Sequence, residues 1–324
     1  MFLGVDGGGS KTAYALIDGA GRLRARHVGP SVSHLAAGFA RATQLLLDGI
    51  GATLAKAASA PASVTFAFIG LPAYGEDSAT TSVMDEMPAS LLDVARYRCG
   101  NDTVCSWAGS LGCKDGISVI AGTGSVAYGQ YAGREARAGG WGELIGDEGS
   151  AYWIAREGLN LFSRMSDGRA ARGPLYELVR ARFGIAIDLD LCARIYSDGG
   201  NVRAVFAQFA VLVHEAVQAG DAQATAIFDR AAKELVDCVI AVRRSLAVPA
   251  DVVMPVSHTG GVFNAAALLS SAFRAALAAS SLGFEYRAPS YLPDVGAALY
   301  AAQIAKQPVS ESALHLLRQQ CAAV

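Results

Sequence analysis

Hydrophobic and polar positions along the first hundred residues predict a mixed α/β order. Three short apolar segments are joined by glycine-rich turns, a pattern typical of an antiparallel meander. A continuous apolar run that ends at Gly70-Leu71-Pro72 favours a strand buried on both faces. The predicted elements are strands at 1–5, 12–18, 22–28, 64–71 and 94–99, with helices at about 35–59 and 78–91.

The rest of the chain begins a second round of the same pattern. Strand-like segments surround another glycine-rich turn, and a long, mostly helical region follows them. The predicted elements are strands at 116–121, 126–131, 134–138, 252–256 and 284–287, helices through most of 150–246 and at 262–281, and two short helices at the end.

This repeated order predicts an α/β fold of two related halves that face each other across a cleft. The polar, glycine-containing segment 112–116 marks the boundary between them. We therefore expect domains at 1–115 and 116–324, and leave open whether the last helix packs back on the first domain.

The composition narrows the class of protein. Hydrophobic residues make up 52% of the 324 residues and the net charge is −2, which excludes a disordered chain and argues against a nucleic-acid surface. Mean hydropathy is +0.31, yet the most apolar stretch, 260–283, contains Arg274 and four serines, so we expect no membrane span. The apolar start is too short for an export signal, and the six cysteines match no metal-binding spacing, so we expect a cytoplasmic protein with reduced thiols.

A glycine-rich motif, Asp6-Gly7-Gly8-Gly9-Ser10-Lys11-Thr12, connects the first two predicted strands. Consecutive glycines let backbone N–H groups approach an anion and the hydroxyls add donors, so this turn could cradle phosphate. Asp6, at the end of a buried strand, could hold Mg²⁺ directly or through water. A P-loop does not fit, because Ser10 precedes Lys11 and a strand follows. A tight hairpin without a ligand is the alternative.

Two further glycine-rich turns lie in the second half. Ala121-Gly122-Thr123-Gly124-Ser125 could cradle phosphate in the same way, although Gly-Thr-Gly also occurs in plain turns. Thr259-Gly260-Gly261-Val262-Phe263-Asn264 would let a base or ribose lie against the backbone, or is a plain connection from strand to helix.

Two acidic positions carry the remaining candidate chemistry. Asp102 follows a strand and precedes a helix, where it could cap that helix or accept a proton from a substrate hydroxyl. The segment 139–150 (GGWGELIGDEGS) is either a capped helix start after a loop or a sugar-binding loop. In the second case Asp147 accepts hydrogen bonds from sugar hydroxyls and Trp141 packs against the ring.

Together these motifs resemble the actin-like (ribonuclease H-like) ATPase superfamily, which includes sugar kinases and chaperone ATPases. The chain is most similar to the family that groups N-acetylglucosamine kinases with benzoyl-CoA reductase ATPase subunits and dehydratase activators. The residues that carry this resemblance are DGGGSKT (6–12), Asn101-Asp102, AGTGS (121–125), GWGELIGDEGSAYW (140–153), TGGVFN (259–264) and DVGAAL (294–299).

The resemblance implies an ATP- and Mg²⁺-dependent kinase that phosphorylates the 6-hydroxyl of an amino sugar, N-acetylglucosamine in the first place, and that forms a homodimer. Asp102 would be the general base and Asp6 the residue that handles the metal. The residues implied at ATP are Asp6, Gly7, Gly8, Gly9, Ser10, Lys11, Thr12, Gly122, Thr123, Gly124, Gly260, Gly261 and Asn264. Those implied at the sugar are Ser33, Asp102, Ser125, Val126, Gly140, Trp141, Gly142 and Asp147.

Two departures leave the sugar open. Family members specific for N-acetylglucosamine usually carry Asn where this chain has Ser33 and Val126. Glucosamine and N-acetylmuramic acid therefore stay as alternatives. A second alternative is an ATPase switch that acts on a partner protein, although Cys99, Cys105 and Cys113 match no cluster spacing.

Overall fold

The computed structural model describes residues 1–197, 202–265 and 267–322. In these residues ten β-strands form two five-stranded sheets, with orders β3-β2-β1-β4-β5 and β10-β9-β6-β7-β8. Read from the other edge, the second order is β8-β7-β6-β9-β10, which repeats the connectivity of the first. The strands are β1 Phe2–Gly7, β2 Lys11–Ile17, β3 Leu23–Pro30, β4 Phe66–Leu71, β5 Tyr97–Asn101, β6 Gly116–Ala121, β7 Ser125–Tyr131, β8 Arg134–Gly139, β9 Met254–Thr259 and β10 Phe284–Tyr286.

Helices supply the rest of the regular structure, and those described are long mainly in the second half. They are α1 His34–Ala37, α2 Phe39–Lys56, α3 Thr81–Glu86, α4 Thr103–Leu111, α5 Ala151–Ser166, α6 Pro174–Phe183, α7 Asp190–Ser197, α8 Val202–Gln218, α9 Ala222–Ser245, α10 Gly261–Ala265, α11 Ala267–Ala278, α12 Pro293–Ile304 and α13 Glu311–Ala322. None of the described helices is long and apolar enough to cross a membrane. The predicted α/β class is confirmed.

Several predicted elements differ in extent. The helix expected at 35–59 is divided at Gly38, whose φ of 75° is outside the helical region, and it ends at Lys56. The helix expected at 78–91 is only α3. The strand expected at 94–99 begins at Tyr97, because Asp93 caps a short 3₁₀ turn over Val94–Arg96 by accepting from the Ala95 N–H. Local capping decided these ends more than hydrophobic spacing did.

The chain divides into two compact units. The first comprises 1–118, 128–134 and 287–324, and the second comprises 119–127 and 135–286. These units describe where contacts concentrate, so the domain bounds 1–115 and 116–324 stay a prediction, as does the cleft.

The register of the first sheet brings three strand ends to one edge. β1 pairs antiparallel with β2 but parallel with β4, and β4 pairs parallel with β5. Asp6 therefore lies opposite Gly70, and Gly70 lies opposite Gly100. Because carboxyl ends of parallel strands share an edge, the chain leaves β1 and β5 close together, which brings Asp6 and Asp102 to the same edge.

Helix α12 supports both strand β1 and helix α4. A Cβ at Gly4 of β1 would lie 2.1 Å from the Asp294 carbonyl oxygen, and one at Gly296 would lie 2.0 Å from the Gly109 nitrogen of α4. Such contacts are possible only where a side chain is absent. The motif DVGAAL at 294–299 is thus a close-packing surface that holds the elements carrying Asp6 and Asp102.

Candidate active site

The first glycine-rich motif forms a hairpin between β1 and β2. The Gly8 N–H donates to the Lys11 carbonyl oxygen at 2.9 Å, and Ser31 Oγ donates to the Gly8 carbonyl oxygen at 2.7 Å. Gly9, Ser10 and Lys11 are exposed. The hairpin tip therefore presents bare backbone and a cation to solvent, as an anion site requires.

Thr12 has a structural position in this hairpin. Its side chain is fully buried, and Thr12 Oγ1 accepts a hydrogen bond from the Val32 N–H at 3.1 Å. The Ser33 N–H donates to Ser31 Oγ at 3.2 Å, and Ser33 is itself buried. These hydrogen bonds place Ser33, a predicted sugar-binding residue, in the segment that the hairpin holds.

In the first unit, the charges of the Asp102 and Asp294 carboxylates act on the carboxylate of Asp6. Burial raises the pKa of Asp6 well above its ordinary value, and the carboxylates of Asp102 and Asp294 raise this pKa further, while Lys11 and Arg26 lower it. Asp294 is fully buried and pairs with Arg26, with 2.5 Å between Asp294 Oδ2 and Arg26 Nε. The Asp6 carboxylate therefore sits where additional positive charge is favourable.

Asp102 occupies the N-cap position of α4 without capping it. Its φ and ψ are −62° and −20°, and its side chain makes no capping hydrogen bond. Asn101 Oδ1 instead accepts from the Thr103 N–H at 3.1 Å. Capping, the alternative open from the sequence, is not what the Asp102 side chain does.

The donor set suits Mg²⁺ better than a metal held by protein alone. No three His, Cys, Asp or Glu side chains group as a metal centre in the part of the chain that the structure describes. Mg²⁺ is usually held by one or two carboxylates together with substrate phosphates and water. Asp6, half-buried and crowded by Asp102 and Asp294, fits that pattern.

In the second unit, the turn Gly122–Ser125 is tied to the start of α5. The Ala151 N–H donates to the Gly122 carbonyl oxygen at 2.9 Å, and the Tyr152 N–H donates to that of Thr123 at 3.4 Å. Ser125 Oγ donates to the Glu148 carbonyl oxygen at 2.7 Å. The turn and the loop 140–150 thus form one hydrogen-bonded structure.

Asp147 is the centre of this structure. Its side chain is buried, and its carboxylate accepts hydrogen bonds from the backbone N–H groups of Ser125 and Gly142. The pKa of Asp147 is raised from its ordinary value, chiefly by burial and also by the Glu143 and Glu148 carboxylates, although these two hydrogen bonds lower it. A Cβ at Gly124 would come within 2.6 Å of Asp147 Oδ2. The carboxylate joins the Gly-Thr-Gly turn to the Trp141 loop, and its predicted sugar contact stays a prediction.

The third glycine turn lies against the second. Gly260 has φ of 106°, and a Cβ there would lie 2.2 Å from the Ala121 carbonyl oxygen. A side chain is therefore excluded both by conformation and by space. Asn264 belongs to α10, and its side chain lies outside the described part of the structure.

Three other glycines are not required by the fold itself. At Gly9, Gly122 and Gly261, no atom of the described residues lies within 4 Å of the place that a Cβ would take, and none of the three has a positive φ. A Cβ would meet no obstacle there from the rest of the fold, so packing does not explain these glycines, and each leaves its backbone uncovered by a side chain. Bare N–H groups at such turns fit the phosphates and sugar of a nucleotide.

The loop around Trp141 is largely exposed. Trp141 has 72% of its surface exposed, and Leu144 and Ile145 are also exposed. Arg137 Nη2 donates to the Gly140 carbonyl oxygen at 2.8 Å, and a Cβ at Gly140 would meet the Val126 side chain at 3.1 Å. Of the predicted sugar residues, Val126, Gly140, Gly142 and Asp147 therefore lie together, whereas the Trp141 ring is open to solvent.

The structure thus gathers the predicted residues in two groups, one in each unit. Sequence reasoning assigned no role to Asn101, Arg26 or Asp294, whose contacts hold the first group. Asn101 and Asp294 stood in the quoted motifs, but only the fold showed what their side chains touch. Nothing in the sequence marked Arg26 as functional, because it is one of the eight residues of an ordinary strand, β3.

Known proteins match nearly the whole chain. The model of the BadF/BadG/BcrA/BcrD ATPase family matches residues 3–301. An N-acetyl-D-glucosamine kinase of Dictyostelium discoideum is 26% identical over 93% of this chain and 97% of its own. An N-acetylmuramic acid/N-acetylglucosamine kinase of Clostridium acetobutylicum is 31% identical over 84% of this chain and 88% of its own.

A solved structure agrees with these relatives. It is a Chromobacterium violaceum protein with a provisional N-acetylglucosamine kinase name, 27% identical, with a TM-score of 0.70 over 92% of this chain and 97% of its own. The repeated sheets and glycine-rich turns define an α/β protein of the actin-like ATPase class. More narrowly, the chain belongs to the BadF/BadG/BcrA/BcrD ATPase family.

Proposed function

We propose that this protein is an ATP-dependent kinase that transfers the γ-phosphoryl group to the 6-hydroxyl of an amino sugar, with N-acetylglucosamine as the preferred acceptor. The observation that carries the proposal is the Asp102 carboxylate, which stands at the start of α4 beside Asp6 and does not cap the helix. A carboxylate in that position can orient and deprotonate a hydroxyl.

The relatives support the same reaction class. Both curated relatives are named kinases of N-acetylated amino sugars, and each alignment covers most of both chains. The family description names an ATPase. Together with the bare backbone at Gly9 and Gly122, these names favour ATP as the phosphoryl donor.

Each proposed step assigns one task to a residue. Asp102 holds the sugar 6-hydroxyl and takes its proton as the phosphoryl group is transferred. The backbone N–H groups of the hairpin 7–11 and of the turn 122–125 donate to phosphate oxygens, where they offset the charge that develops in the transition state. Lys11 adds a cation at the first turn. When bound, Mg²⁺, which Asp6 would hold, supplies the remaining charge neutralisation.

The loop 140–147 is proposed to bind the sugar. Gly140 and Gly142 offer backbone groups, Trp141 offers a flat apolar face, and Asp147 offers any carboxylate lone pair that its two amide partners leave available. Ser33 and Ser125 would add hydroxyls. A homodimer in the cytoplasm is part of the same proposal, on the resemblance alone.

N-acetylmuramic acid is the second candidate acceptor. The Clostridium acetobutylicum relative is named for both sugars, and this chain carries Ser33 and Val126 where Asn would mark N-acetylglucosamine specificity. Ser33 is smaller than Asn, and Val126 lacks the Asn amide. Both changes would leave room for a substituent on the sugar ring.

An ATPase switch is the rival from another class. A switch that bridges a metal cluster needs accessible cysteines. Cys99 and Cys105 are buried, Cys113 is half-buried and Cys192 is exposed, and the described residues contain no group of three His, Cys, Asp or Glu side chains that could hold a metal. These positions do not favour the switch over the kinase.

The test is ADP release from ATP and Mg²⁺ with N-acetylglucosamine, N-acetylmuramic acid, glucosamine and glucose, beside a control without sugar. We expect the fastest release with N-acetylglucosamine and a slow background without sugar. Release at the same rate without sugar would replace the kinase by the switch, and preference for N-acetylmuramic acid would promote the second candidate. Identification of the phosphorylated position in the product checks the 6-hydroxyl.

A further inference from the structure

Asn101 stands immediately before the proposed general base and makes two hydrogen bonds of opposite kind. Its Oδ1 accepts from the Thr103 N–H at 3.1 Å, and its Nδ2 donates to the Tyr74 carbonyl oxygen at 2.9 Å. An N–H can only donate and a carbonyl can only accept, so these partners fix which side of the amide is oxygen and which is nitrogen.

The first bond caps α4 from Asn101, because Asp102 already has helical φ and ψ and Thr103 is the second residue after Asn101. A helix begins with N–H groups that lack partners, and an Asp at the N-cap position normally accepts from one of them. Here Asn101 accepts the N–H of the first helical residue, and Asp102 makes no capping bond. The side chain that caps α4 is therefore that of Asn101, the last residue of β5, and not that of Asp102.

The second bond anchors this cap to the neighbouring strand end. Asn101 ends β5 in register with Leu71, the last residue of β4, and Tyr74 lies in the turn that follows β4. That turn includes Ala73 with φ of 62°, which is uncommon for a residue with a side chain. Tyr74 OH in turn donates to Asp85 Oδ1 at 2.9 Å. The Asn101 amide is thus held from both sides and cannot rotate without losing one bond.

We infer that Asn101 is a positioning residue for catalysis: by capping α4 and anchoring its start to the turn after β4, it holds in place the backbone of Asp102, the proposed general base. This inference rests on the kinase function proposed above. Without the Asn101 side chain, the Thr103 N–H loses its acceptor and the start of α4 loses its tie to Tyr74, so Asp102 is no longer held in one position.

The chain contains a matched control. Asp93 Oδ1 accepts from the N–H of Ala95 at 2.9 Å, which is the same two-residue geometry as Asn101 to Thr103, in the same unit. Asp93 is exposed and caps only the 3₁₀ turn before β5. Asp93→Ala therefore removes an equivalent capping bond away from the reacting groups.

The first experiment measures steady-state kinetics with the full-length protein. We expect Asn101→Ala to lower kcat by about 10- to 100-fold, the cost of misplacing a reacting group by about 1 Å, with KM for ATP and sugar changed less than about threefold. Asp93→Ala should leave kcat and KM unchanged. Asn101→Ser, whose hydroxyl keeps an acceptor for the Thr103 N–H, should recover part of the turnover.

A double-mutant cycle separates positioning from general damage. In an Asp102→Asn background, Asn101→Ala should cost no further turnover, because the group that it positions is already gone. An equal loss in both backgrounds, a wild-type kcat in Asn101→Ala, or failure of both Asn101 variants to fold would each overturn the inference.

A crystal structure of Asn101→Ala gives a readout without activity. We expect a displaced Asp102 and a frayed first turn of α4, and an unmoved Asp102 side chain would overturn the inference. If the wild-type protein releases no ADP with any amino sugar, the proposed function fails, while this structure still decides whether Asn101 holds Asp102 in place.

Discussion

The carboxylates of the two units began as the same kind of sequence signal, an Asp beside glycines, but the fold uses them differently. In the first unit, Asp6 lies near Asp102 and Asp294, where the surroundings disfavour its charge. In the second unit, burial also raises the pKa of Asp147, but its carboxylate accepts two backbone N–H groups and joins two loops. The first arrangement leaves charge for a cation and a reacting hydroxyl, whereas the second uses charge to hold backbone. Mutation of Asp102 in the first unit should therefore lower activity more than stability, and mutation of Asp147 in the second should lower stability most.

The largest expected effect follows from removing the proposed base. Asp102→Asn should lower kcat by about 100- to 10,000-fold, the usual contribution of a general base. Nucleotide binding and the unfolding temperature should stay near wild type, because Asp102 does not cap α4. Steady-state ADP release and an ATP titration measure both. Asp48→Asn, on an exposed face of α2, is the control. Turnover within threefold of wild type would contradict the assignment.

The Asp147 carboxylate should matter most for the integrity of its unit. Asp147→Ala leaves the N–H groups of Ser125 and Gly142 without their partner, at about 1–3 kcal/mol of unfolding free energy. We expect a lower unfolding temperature and faster amide exchange in 122–125 and 140–146. Asp237→Ala, exposed on α9, should stay within about 0.5 kcal/mol. Unchanged exchange in both segments would show that the carboxylate does not join them.

Trp141 tests the second unit from its exposed side. Because 72% of its surface is exposed, Trp141→Ala should leave stability unchanged. Loss of a stacking face should weaken sugar binding by about 2- to 10-fold, corresponding to about 0.5–1.5 kcal/mol, with ATP binding unaffected. Separate titrations of the two ligands measure this, with Leu189→Ala, an exposed leucine of the same unit outside this loop, as the control. Equal weakening of both ligands would assign Trp141 a structural role.

The smallest expected effect is a gain in stability, whereas the changes above lower activity, stability or binding. Because the pKa of Asp6 is raised in the folded state, that state binds more protons than the unfolded chain above pH about 4. Stability therefore falls as pH rises towards the raised pKa. Asp6→Asn removes this loss, so with EDTA and no nucleotide the variant should be more stable at pH 7.5, with a higher unfolding temperature than wild type.

The same comparison at lower pH supplies the control. The gain from Asp6→Asn should shrink as pH falls and become small near pH 4, where the Asp6 carboxyl is protonated in the folded state and about half protonated in the unfolded chain. Thermal unfolding from pH 4 to 8 measures the trend. A variant less stable than wild type at pH 7.5, or a gain independent of pH, would show that crowding does not disfavour the Asp6 charge.

Sequence reasoning identified the strands with most success where turns were marked by glycine. The glycine-rich motif 6–12 separates β1 from β2, and the strand at 116–121 was predicted with the bounds that β6 has. It failed where capping or a positive φ ended an element, as at Gly38 and at Asp93, because hydrophobic spacing carries no information about a single backbone angle or one side-chain hydrogen bond.

The sequence by itself determined the repeated α/β order, the glycine-rich turns and the family, because these depend on residue type and spacing along the chain. Only the tertiary structure decided what each carboxylate does. The helix that follows Asp102 is capped by Asn101, Asp147 accepts amides of its own loop and of the turn 122–125, and Asp294 is buried against Arg26. Burial and the contacts of Asp147 with Ser125 and of Asp294 with Arg26 depend on groups far apart in the chain, which folding alone brings together.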